Sequence, residues 1–247
     1  ESLIAQKPLN IRDQSKLMVL DRKSGSIKHE IFSRIPHLIP TQSLMVFNNT
    51  KVIPSKLNGH QIKNGRPVEI LLIRKTSDEA QWESLIKGLK KLRLGTEMVF
   101  GNGELKAILT GRHENKAIVK LIYAGNIDNV LSRIGNMPLP PYIRRKANDD
   151  NSLSGQDKEK YQTIFASHPG AIAAPTAGLH FTPRIIESLN KKGVDTASLT
   201  LHVGIGTFQP IRTEIITEHK MQPEQFYIPE ETSKTLIKAR KDLKKIV

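Results

Sequence analysis

The apolar runs VEILLIR (residues 68–74) and KAIVKLIY (residues 116–123) bound the part of the sequence that decides the fold. Three more short runs, at 82–87, 96–100 and 104–110, lie between them and are separated by turns such as Gly101-Asn102-Gly103. Five short strands at this spacing are typical of a small barrel or sandwich rather than of βαβ units. The sequence therefore predicts a small all-β barrel domain at residues 55–150.

The segments on either side of this domain alternate between strand and helix patterns. Short apolar runs at 17–20 and 44–47 are bounded by polar turn residues, as buried strands are. Further on, Thr182 and Pro183 are typical of a helix start, and Gly193 after two lysines is typical of a helix end. We therefore predict an α/β body made of residues 1–54 and 151–247, with the β-barrel inserted between them.

Composition favours a basic cytoplasmic protein. The 38 Lys and Arg residues against 24 Asp and Glu give a formal net charge of +14, a balance that attracts polyanions such as nucleic acid. A merely basic surface is the alternative. No run approaches the roughly 20 apolar residues that span a bilayer, and the amino terminus lacks a signal-peptide pattern. The absence of cysteine excludes disulfides and thiolate catalysis within this sequence.

Two segments place small residues and a histidine directly after apolar runs. The first, 175–182, carries His180 and enters the predicted helix, where unpaired backbone N–H groups suit a carboxylate, phosphate or ribose. A tight connection with a buried His180 is the alternative. The second, 201–210, carries His202 and a Gly-x-Gly that lacks the third glycine of a dinucleotide fingerprint. A hydrogen-bonded core histidine is the alternative for His202.

Other familiar site chemistries fit this sequence poorly. The two histidines have no metal-ligand spacing, and no G-x-S-x-G sequence indicates a serine hydrolase. Polar clusters at 12–15 and 48–51 precede or end predicted strands, where they act either as turns and caps or as ligand contacts. Tyr142 beside Arg144 and Arg145 suits base stacking and phosphate binding, with a solvated loop as the alternative.

Taken in order, these segments resemble the signature blocks of one family. They read LIAQ (3–6), RDQS (12–15), FNNTKVIP (47–54), MPLPPYI (137–143), YQT (161–163), AAPTAGLHFT (173–182) and LHVGIGTF (201–208). The chain resembles the S-adenosylmethionine:tRNA ribosyltransferase-isomerase family of queuosine biosynthesis. The resemblance covers essentially the whole chain, and it implies a mixed α/β barrel-like body with an inserted small β-barrel.

The resemblance also implies a reaction. The ribosyl group of S-adenosylmethionine moves to 7-aminomethyl-7-deazaguanine at the wobble position of the tRNA anticodon and isomerises, which gives epoxyqueuosine, adenine and methionine. S-adenosylmethionine is a cosubstrate, and no metal or redox cofactor is implied. The expected partner is the tRNA anticodon stem-loop, and the protein is expected to be a monomer without membrane contact.

The site residues follow from the resemblance and from side-chain chemistry. His180 and His202 are the side chains best suited to proton transfer near neutral pH. The expected substrate-binding residues are Arg12, Asp13, Asn48, Thr50, Tyr161, Gln162, Pro175, Thr176, Ala177, Gly178, Phe181, Gly204, Gly206, Thr207, Lys220 and Glu224. The expected RNA-binding residues are Lys87, Lys90, Lys91, Arg93, Arg144 and Arg145.

The chain departs from the family pattern in two places. Gln222 and Pro223 stand where relatives commonly carry His and Ser. Relatives also run on by roughly a third of their length, a statement that rests on the resemblance alone. We therefore expect the carboxyl-terminal end of the body to be missing. The rival functions are a non-catalytic RNA-binding protein that uses the barrel, and a nucleotide- or sugar-phosphate-using enzyme unrelated to tRNA.

Overall fold

The computed structural model describes residues 3–78, 80–145, 151–208, 211, 213–219 and 221–247. The strands are β1 (Lys16–Leu20), β2 (Ile27–Ile31), β3 (Leu44–Asn48), β4 (Thr50–Val52), β5 (Lys56–Gln61), β6 (Pro67–Lys75), β7 (Gln81–Ile86), β8 (Glu97–Phe100), β9 (Leu105–His113), β10 (Lys116–Tyr123), β11 (His168–Ala171), β12 (Asp195–His202) and β13 (Gln225–Tyr227). The helices are α1 (Ile35–Leu38), α2 (Ile127–Ile134), α3 (Asn151–Lys160), α4 (Pro183–Lys191) and α5 (Glu230–Lys241).

The predicted β-barrel is confirmed. Strands β5 to β10 close in the order β10-β7-β6-β5-β8-β9 through antiparallel pairs. Alternate side chains fill the interior, as Val68, Ile70 and Leu72 of β6 illustrate, because successive residues of a strand point to opposite faces. Each strand thus supplies one apolar face to a common core, which is why short runs suffice to build it.

The barrel contains one strand and one helix that the sequence pattern does not reveal. Strand β5 has the polar sequence KLNGHQ, and Leu57 is its buried apolar residue. Gly59 lets β8 approach, since a Cβ there would lie 2.1 Å from Val99 O and 2.5 Å from the Phe100 ring. Helix α2 adds Val130 and Leu131 to the barrel core, so the inserted unit is not purely β.

The body is built around parallel strand pairs. Strand β12 runs parallel to β3 and antiparallel to β13, and β11 runs parallel to β4. The last residues also pair with β3, through Leu44 N–H to Lys245 O and Val46 N–H to Val247 O, each at 2.8 Å. The body therefore mixes helices and strands as predicted, and the α/β class is confirmed. The domain boundaries at 55 and 150 stay a prediction.

Two chain segments join the barrel to the body, and they run side by side. Lys56 N–H donates to Asn136 O at 3.2 Å, and Asn136 N–H donates to Lys56 O at 2.8 Å. Gly135 permits this approach, because a Cβ at that position would lie 1.9 Å from Pro54 O and 2.6 Å from Leu131 O. The incoming and outgoing strands of the barrel therefore meet at one paired position, which we call the barrel neck (residues 54–56 and 135–136).

The Gly135→Ala variant is expected to lose stability, by about 1–3 kcal/mol or more, because both atoms that meet the new methyl group belong to backbone and cannot rotate away. Gly111→Ala is the matched control, since its Cβ would meet Ile118 at an ordinary 3.4 Å. Thermal unfolding followed by circular dichroism measures both variants. Equal melting temperatures for Gly135→Ala and Gly111→Ala would contradict the close approach at the neck.

Within the described residues, no helix is long and apolar enough to cross a membrane.

Candidate active site

A cleft of about 570 Å³ lies between the barrel and the body. Its volume is within the range of about 300–1,000 Å³ that is typical of small-molecule sites. The barrel contributes residues of β6, β7 and β10, and the body contributes the end of β12 and the segment before β13. The lining residues used below are Arg74, Lys75, Trp82, Glu83, Lys116, Gly170, His202, Gly204, Gly206, Gln222, Pro223 and Glu224.

His202, the last residue of β12, is half-buried in the wall of this cleft. Its Nδ1 atom lies 2.7 Å from Oγ1 of the fully buried Thr50, which fixes the orientation of the ring. Burial, and to a lesser degree the charge of neighbouring His168, lower the pKa of His202 below 6.5. The imidazole is therefore neutral at pH 7. With Nδ1–H donated to Thr50, Nε2 would carry a lone pair able to accept a proton.

Gly170 lies against the His202 ring. A Cβ at Gly170 would lie 2.7 Å from Cε1 of the histidine and 2.9 Å from each ring nitrogen. The backbone of Gly170 has φ +149°, a conformation that favours glycine. Residue 170 thus has to lack a side chain for the ring to occupy its present position.

The Gly-x-Gly segment after β12 faces a carboxylate. Gly204 N–H donates to Oε1 of Glu224 at 2.8 Å, and both residues line the cleft. Gly206 also lines it, and a Cβ there would meet no atom within 4 Å, so the backbone stands open to a ligand. Gln222 and Pro223, the two departures from the family pattern, line the same cleft. The second histidine segment and the segment around Glu224 are therefore brought together.

The first histidine segment lies elsewhere. Residues Thr176–His180 form a short 3-10 helix, and the His180 ring packs on Phe32 with its centroid 5.2 Å away. Phe181 is buried beside it in a cluster with Phe32 and Phe47. Neither His180 nor Phe181 is among the residues that line the cleft. The two predicted histidines therefore have different surroundings, because His180 packs on an aromatic ring whereas His202 lines the cleft.

Arg12 and Asp13 connect the amino-terminal segment to the body. The Arg12 guanidinium donates to the carbonyls of Glu159 at 2.9 Å and Leu179 at 3.5 Å, and it also bonds Gln162 O. Asp13 is buried and accepts a hydrogen bond from the Thr182 hydroxyl at 3.0 Å, at the start of α4. Through Leu179 and Thr182, these contacts hold the first histidine segment against the amino-terminal segment.

Asn48 and Gln162 use their side-chain amides to pair with backbone. Asn48 donates to Leu201 O at 2.9 Å and accepts from Leu201 N–H at 3.0 Å. In the same way, Gln162 accepts from the backbone N–H of Val52 and donates to its carbonyl oxygen. Because the Asn48 side chain ties β3 to the end of β12, it holds the strand that carries His202.

Burial raises the pKa of Tyr161 to about 12, so its phenol stays protonated at neutral pH.

The remaining predicted substrate-binding residues show less contact with the cleft. Thr176, Ala177 and Thr207 are exposed and do not line it. Pro175 is half-buried, and Gly178 packs against Thr163, which a Cβ would meet at 3.0 Å. Lys220 lies outside the described residues.

The predicted RNA-binding residues fall into two separate groups. The first group is exposed on the connection between β7 and β8 and consists of Lys87, Lys90, Lys91 and Arg93. The second group follows the proline-rich segment, where Arg145 forms a bidentate pair with Asp157 at 2.8 and 2.9 Å and Arg144 N–H donates to Gln6. Neither group lines the cleft.

Sequence reasoning missed the barrel wall of the cleft. Arg74 and Lys116 both approach Glu83, at 2.7 and 3.3 Å, across three adjacent strands. Arg74 and Glu83 are separated by 9 positions, and Glu83 and Lys116 by 33, so the three residues form no local motif and strand pairing brings them together. Among the described residues, no group of three or more His, Asp or Glu side chains could hold a metal ion.

Fold and cleft together define the class: an α/β protein with an inserted β-barrel, whose candidate site lies where barrel and body meet and holds a neutral histidine. The chain belongs to the queuosine biosynthesis protein family, whose sequence model matches residues 1–247.

Two relatives named S-adenosylmethionine:tRNA ribosyltransferase-isomerase agree with this membership. The chain is 44% identical to the S-adenosylmethionine:tRNA ribosyltransferase-isomerase of Caldanaerobacter subterraneus subsp. tengcongensis, over 100% of this chain and 70% of that protein. It is 39% identical to the protein of the same name from Clostridioides difficile, with the same coverage. A crystal structure of S-adenosylmethionine tRNA ribosyltransferase from Thermotoga maritima is 32% identical, with a TM-score of 0.40, over 99% of this chain and 65% of that one.

Proposed function

We propose that this chain is a tRNA-modifying transferase-isomerase that uses S-adenosylmethionine as cosubstrate. It transfers and isomerises the ribosyl group onto 7-aminomethyl-7-deazaguanine at the wobble position and releases adenine and methionine. The observation that carries the proposal is the family match over residues 1–247. Sequence identity of 44% to a relative named S-adenosylmethionine:tRNA ribosyltransferase-isomerase supports the same chemistry.

The cleft offers groups suited to this chemistry. The sulfonium of S-adenosylmethionine acidifies the adjacent 5′ carbon, and a neutral imidazole is a suitable base for its proton near pH 7. His202 meets this requirement, because it lines the cleft and its pKa is lowered by burial and by His168. We assign the base to His202. The catalytic role of His180 stays a prediction, and its contact with Phe32 gives it less support.

Substrate binding is proposed for the backbone around Gly204 and Gly206, which is open at Gly206 and occupied by the Glu224 carboxylate at Gly204. Neither glycine presents a side chain, so the ribose and the methionine part of the cosubstrate can approach the main chain. Glu224 lies at the same place and carries a negative charge that suits the sulfonium cation. We therefore propose that the cosubstrate binds against the body wall of the cleft, which His202 also lines.

The expected partner is the tRNA anticodon stem-loop, bound by a chain of net charge +14. A cytoplasmic location and a monomeric state remain predictions. Residues 1–247 span 70% of the length of the curated relatives named above, so the activity of the whole protein is part of the proposal.

Adenine release tests the proposed function. The chain is incubated with S-adenosylmethionine and an anticodon stem-loop that carries 7-aminomethyl-7-deazaguanine, and adenine is measured by liquid chromatography. We expect release with this RNA and none with the same stem-loop carrying guanine. Tight RNA binding without adenine release would instead support the non-catalytic RNA-binding protein, and release without any RNA would contradict a tRNA-directed transferase.

A further inference from the structure

The barrel wall of the cleft carries charges that the proposed chemistry leaves unused. Arg74 on β6, Glu83 on β7 and Lys116 on β10 form a cluster, here called the barrel triad. Arg74 Nε and Lys116 Nζ approach the same atom, Glu83 Oε2, at 2.7 and 3.3 Å. Two cations thus share one carboxylate oxygen, and the triad keeps one positive charge that no carboxylate within it balances.

The members of the triad differ in exposure. The side chains of Glu83 and Lys116 are 12% and 16% exposed, whereas that of Arg74 is 67% exposed. Burial alone would raise the pKa of Glu83, but the hydrogen bond from Arg74 and the charge of Lys116 hold it below its usual value. Glu83 is therefore ionised at neutral pH. The triad extends from the cleft wall to open surface, with Arg74 at the exposed end.

A neighbouring lysine adds a further cation to the cleft. Lys75 lines the cleft and places its Nζ 5.9 Å from the centre of the Trp82 ring. Together with Arg74 and Lys116 it makes this wall of the cleft strongly cationic, and cations of this kind bind oxyanions through charge-assisted hydrogen bonds.

Resting on the proposed function, we propose that the barrel triad binds a backbone phosphate of the tRNA next to the reacting nucleotide, with Glu83 positioning the two cations. The two oxyanions of the reaction mixture are RNA phosphates and the methionine carboxylate. The position of Arg74 favours phosphate, because a polymer continues from the cleft across exposed surface, whereas a small cosubstrate does not. The body wall, with Glu224, is left to the cosubstrate.

Salt-dependent RNA binding tests this assignment without any turnover. Fluorescence anisotropy with the labelled anticodon stem-loop gives the dissociation constant at several salt concentrations. Lys116→Gln and Arg74→Gln are each expected to weaken binding by roughly tenfold and to reduce the slope of log K against log salt by about 1. Lys116→Arg should keep the wild-type slope. Lys191→Gln is the matched control, because Lys191 lies on α4 and does not line the cleft.

Glu83→Gln separates a binding role from a structural one. Gln keeps a side-chain oxygen that can still position Arg74 and Lys116, but it removes the negative charge. If the triad serves RNA, this variant should therefore bind RNA more tightly, because neither cation is then balanced by a carboxylate. If the triad only braces the barrel, Glu83→Gln should lower the melting temperature and leave RNA binding unchanged, which would overturn the proposal. Lys116→Gln alone leaves the buried Glu83 carboxylate without its lysine partner and can unfold the protein. The double variant Glu83→Gln/Lys116→Gln removes that carboxylate as well, so the salt dependence of its RNA binding can be measured even where Lys116→Gln unfolds.

The two sources of the oxyanion are distinguished by calorimetry with S-adenosylmethionine alone. Unchanged affinity in Lys116→Gln and Arg74→Gln supports the phosphate. A loss of S-adenosylmethionine affinity with RNA binding intact would assign the triad to the methionine carboxylate and overturn the proposal. Wild-type slopes in both variants would overturn it as well. Absent adenine release with the expected slopes would count against the proposed function alone, and would leave the phosphate site standing.

Discussion

Replacing His202 with alanine is expected to lower turnover of the modified anticodon stem-loop by about 10²-fold or more, because the reaction loses its general base. The ring lies in the cleft, is oriented by Thr50 at 2.7 Å and is neutral at pH 7. Single-turnover measurement of adenine release gives the rate. His29→Ala is the matched control: it removes an exposed histidine of β2 that does not line the cleft, and it should keep most of the activity.

The pH profile supplies an independent check on His202. A base works in its deprotonated form, so a pKa lowered below 6.5 keeps the enzyme active at pH values where an ordinary histidine is already half-protonated. The acid limb of kcat/KM should therefore lie below pH 6.5. The residual activity of His202→Ala should lack that limb. Near-normal turnover in His202→Ala, with a large loss in a stably folded His180→Ala, would move the base to His180.

Gly170→Ala is expected to reduce turnover on the order of 10²-fold, because the new methyl group displaces the His202 ring. Its Cβ would lie 2.7 to 2.9 Å from three ring atoms, and the ring is the part of this contact that can move. Movement breaks the hydrogen bond to Thr50 and shifts the base away from the proton that it takes. Adenine release under saturating substrate measures the loss in kcat.

Two companion variants make the Gly170 result specific. Thr50→Val removes the oxygen that orients the ring but keeps the side-chain volume, so it should lower kcat in the same direction. Gly155→Ala adds a methyl group in α3, where a Cβ meets nothing within 4 Å, and should behave as the wild type. Wild-type kcat in Gly170→Ala would show that the observed ring position is not required for the reaction.

The strands were predictable from the sequence where buried apolar residues alternate regularly with exposed ones. They were not predictable where contacts with distant residues, rather than an apolar pattern, hold the strand in place. Five barrel strands follow from their apolar runs, but β5 carries one buried apolar residue, Leu57, and depends on Gly59 to admit Phe100. A contact of that kind forms only once the barrel closes. Helix α4 was predictable because its signals are local: Thr182 accepts a hydrogen bond from Ile185 N–H, and Gly193 follows with φ +78°.

The site was predictable only in part, for a similar reason. His202 and the following Gly-x-Gly are adjacent in sequence, so the pattern located the body wall of the cleft. Arg74, Glu83 and Lys116 become neighbours through strand register alone, which residue types do not encode. Arg12 shows the converse difficulty. A guanidinium looks the same in sequence whether it holds a ligand or backbone carbonyls, and here its described contacts are carbonyls.

The barrel neck bears on how such a protein can change over evolutionary time. Lys56 and Asn136 are hydrogen-bonded to each other, so the chain leaves the body and returns to it at one point. Units whose ends are adjacent can be added, removed or exchanged between genes without altering the strand order of the remaining fold. One wall of the cleft belongs to the barrel and the other to the body. A lineage could therefore acquire a new nucleic-acid preference by replacing the barrel while His202 and its surroundings stay as they are.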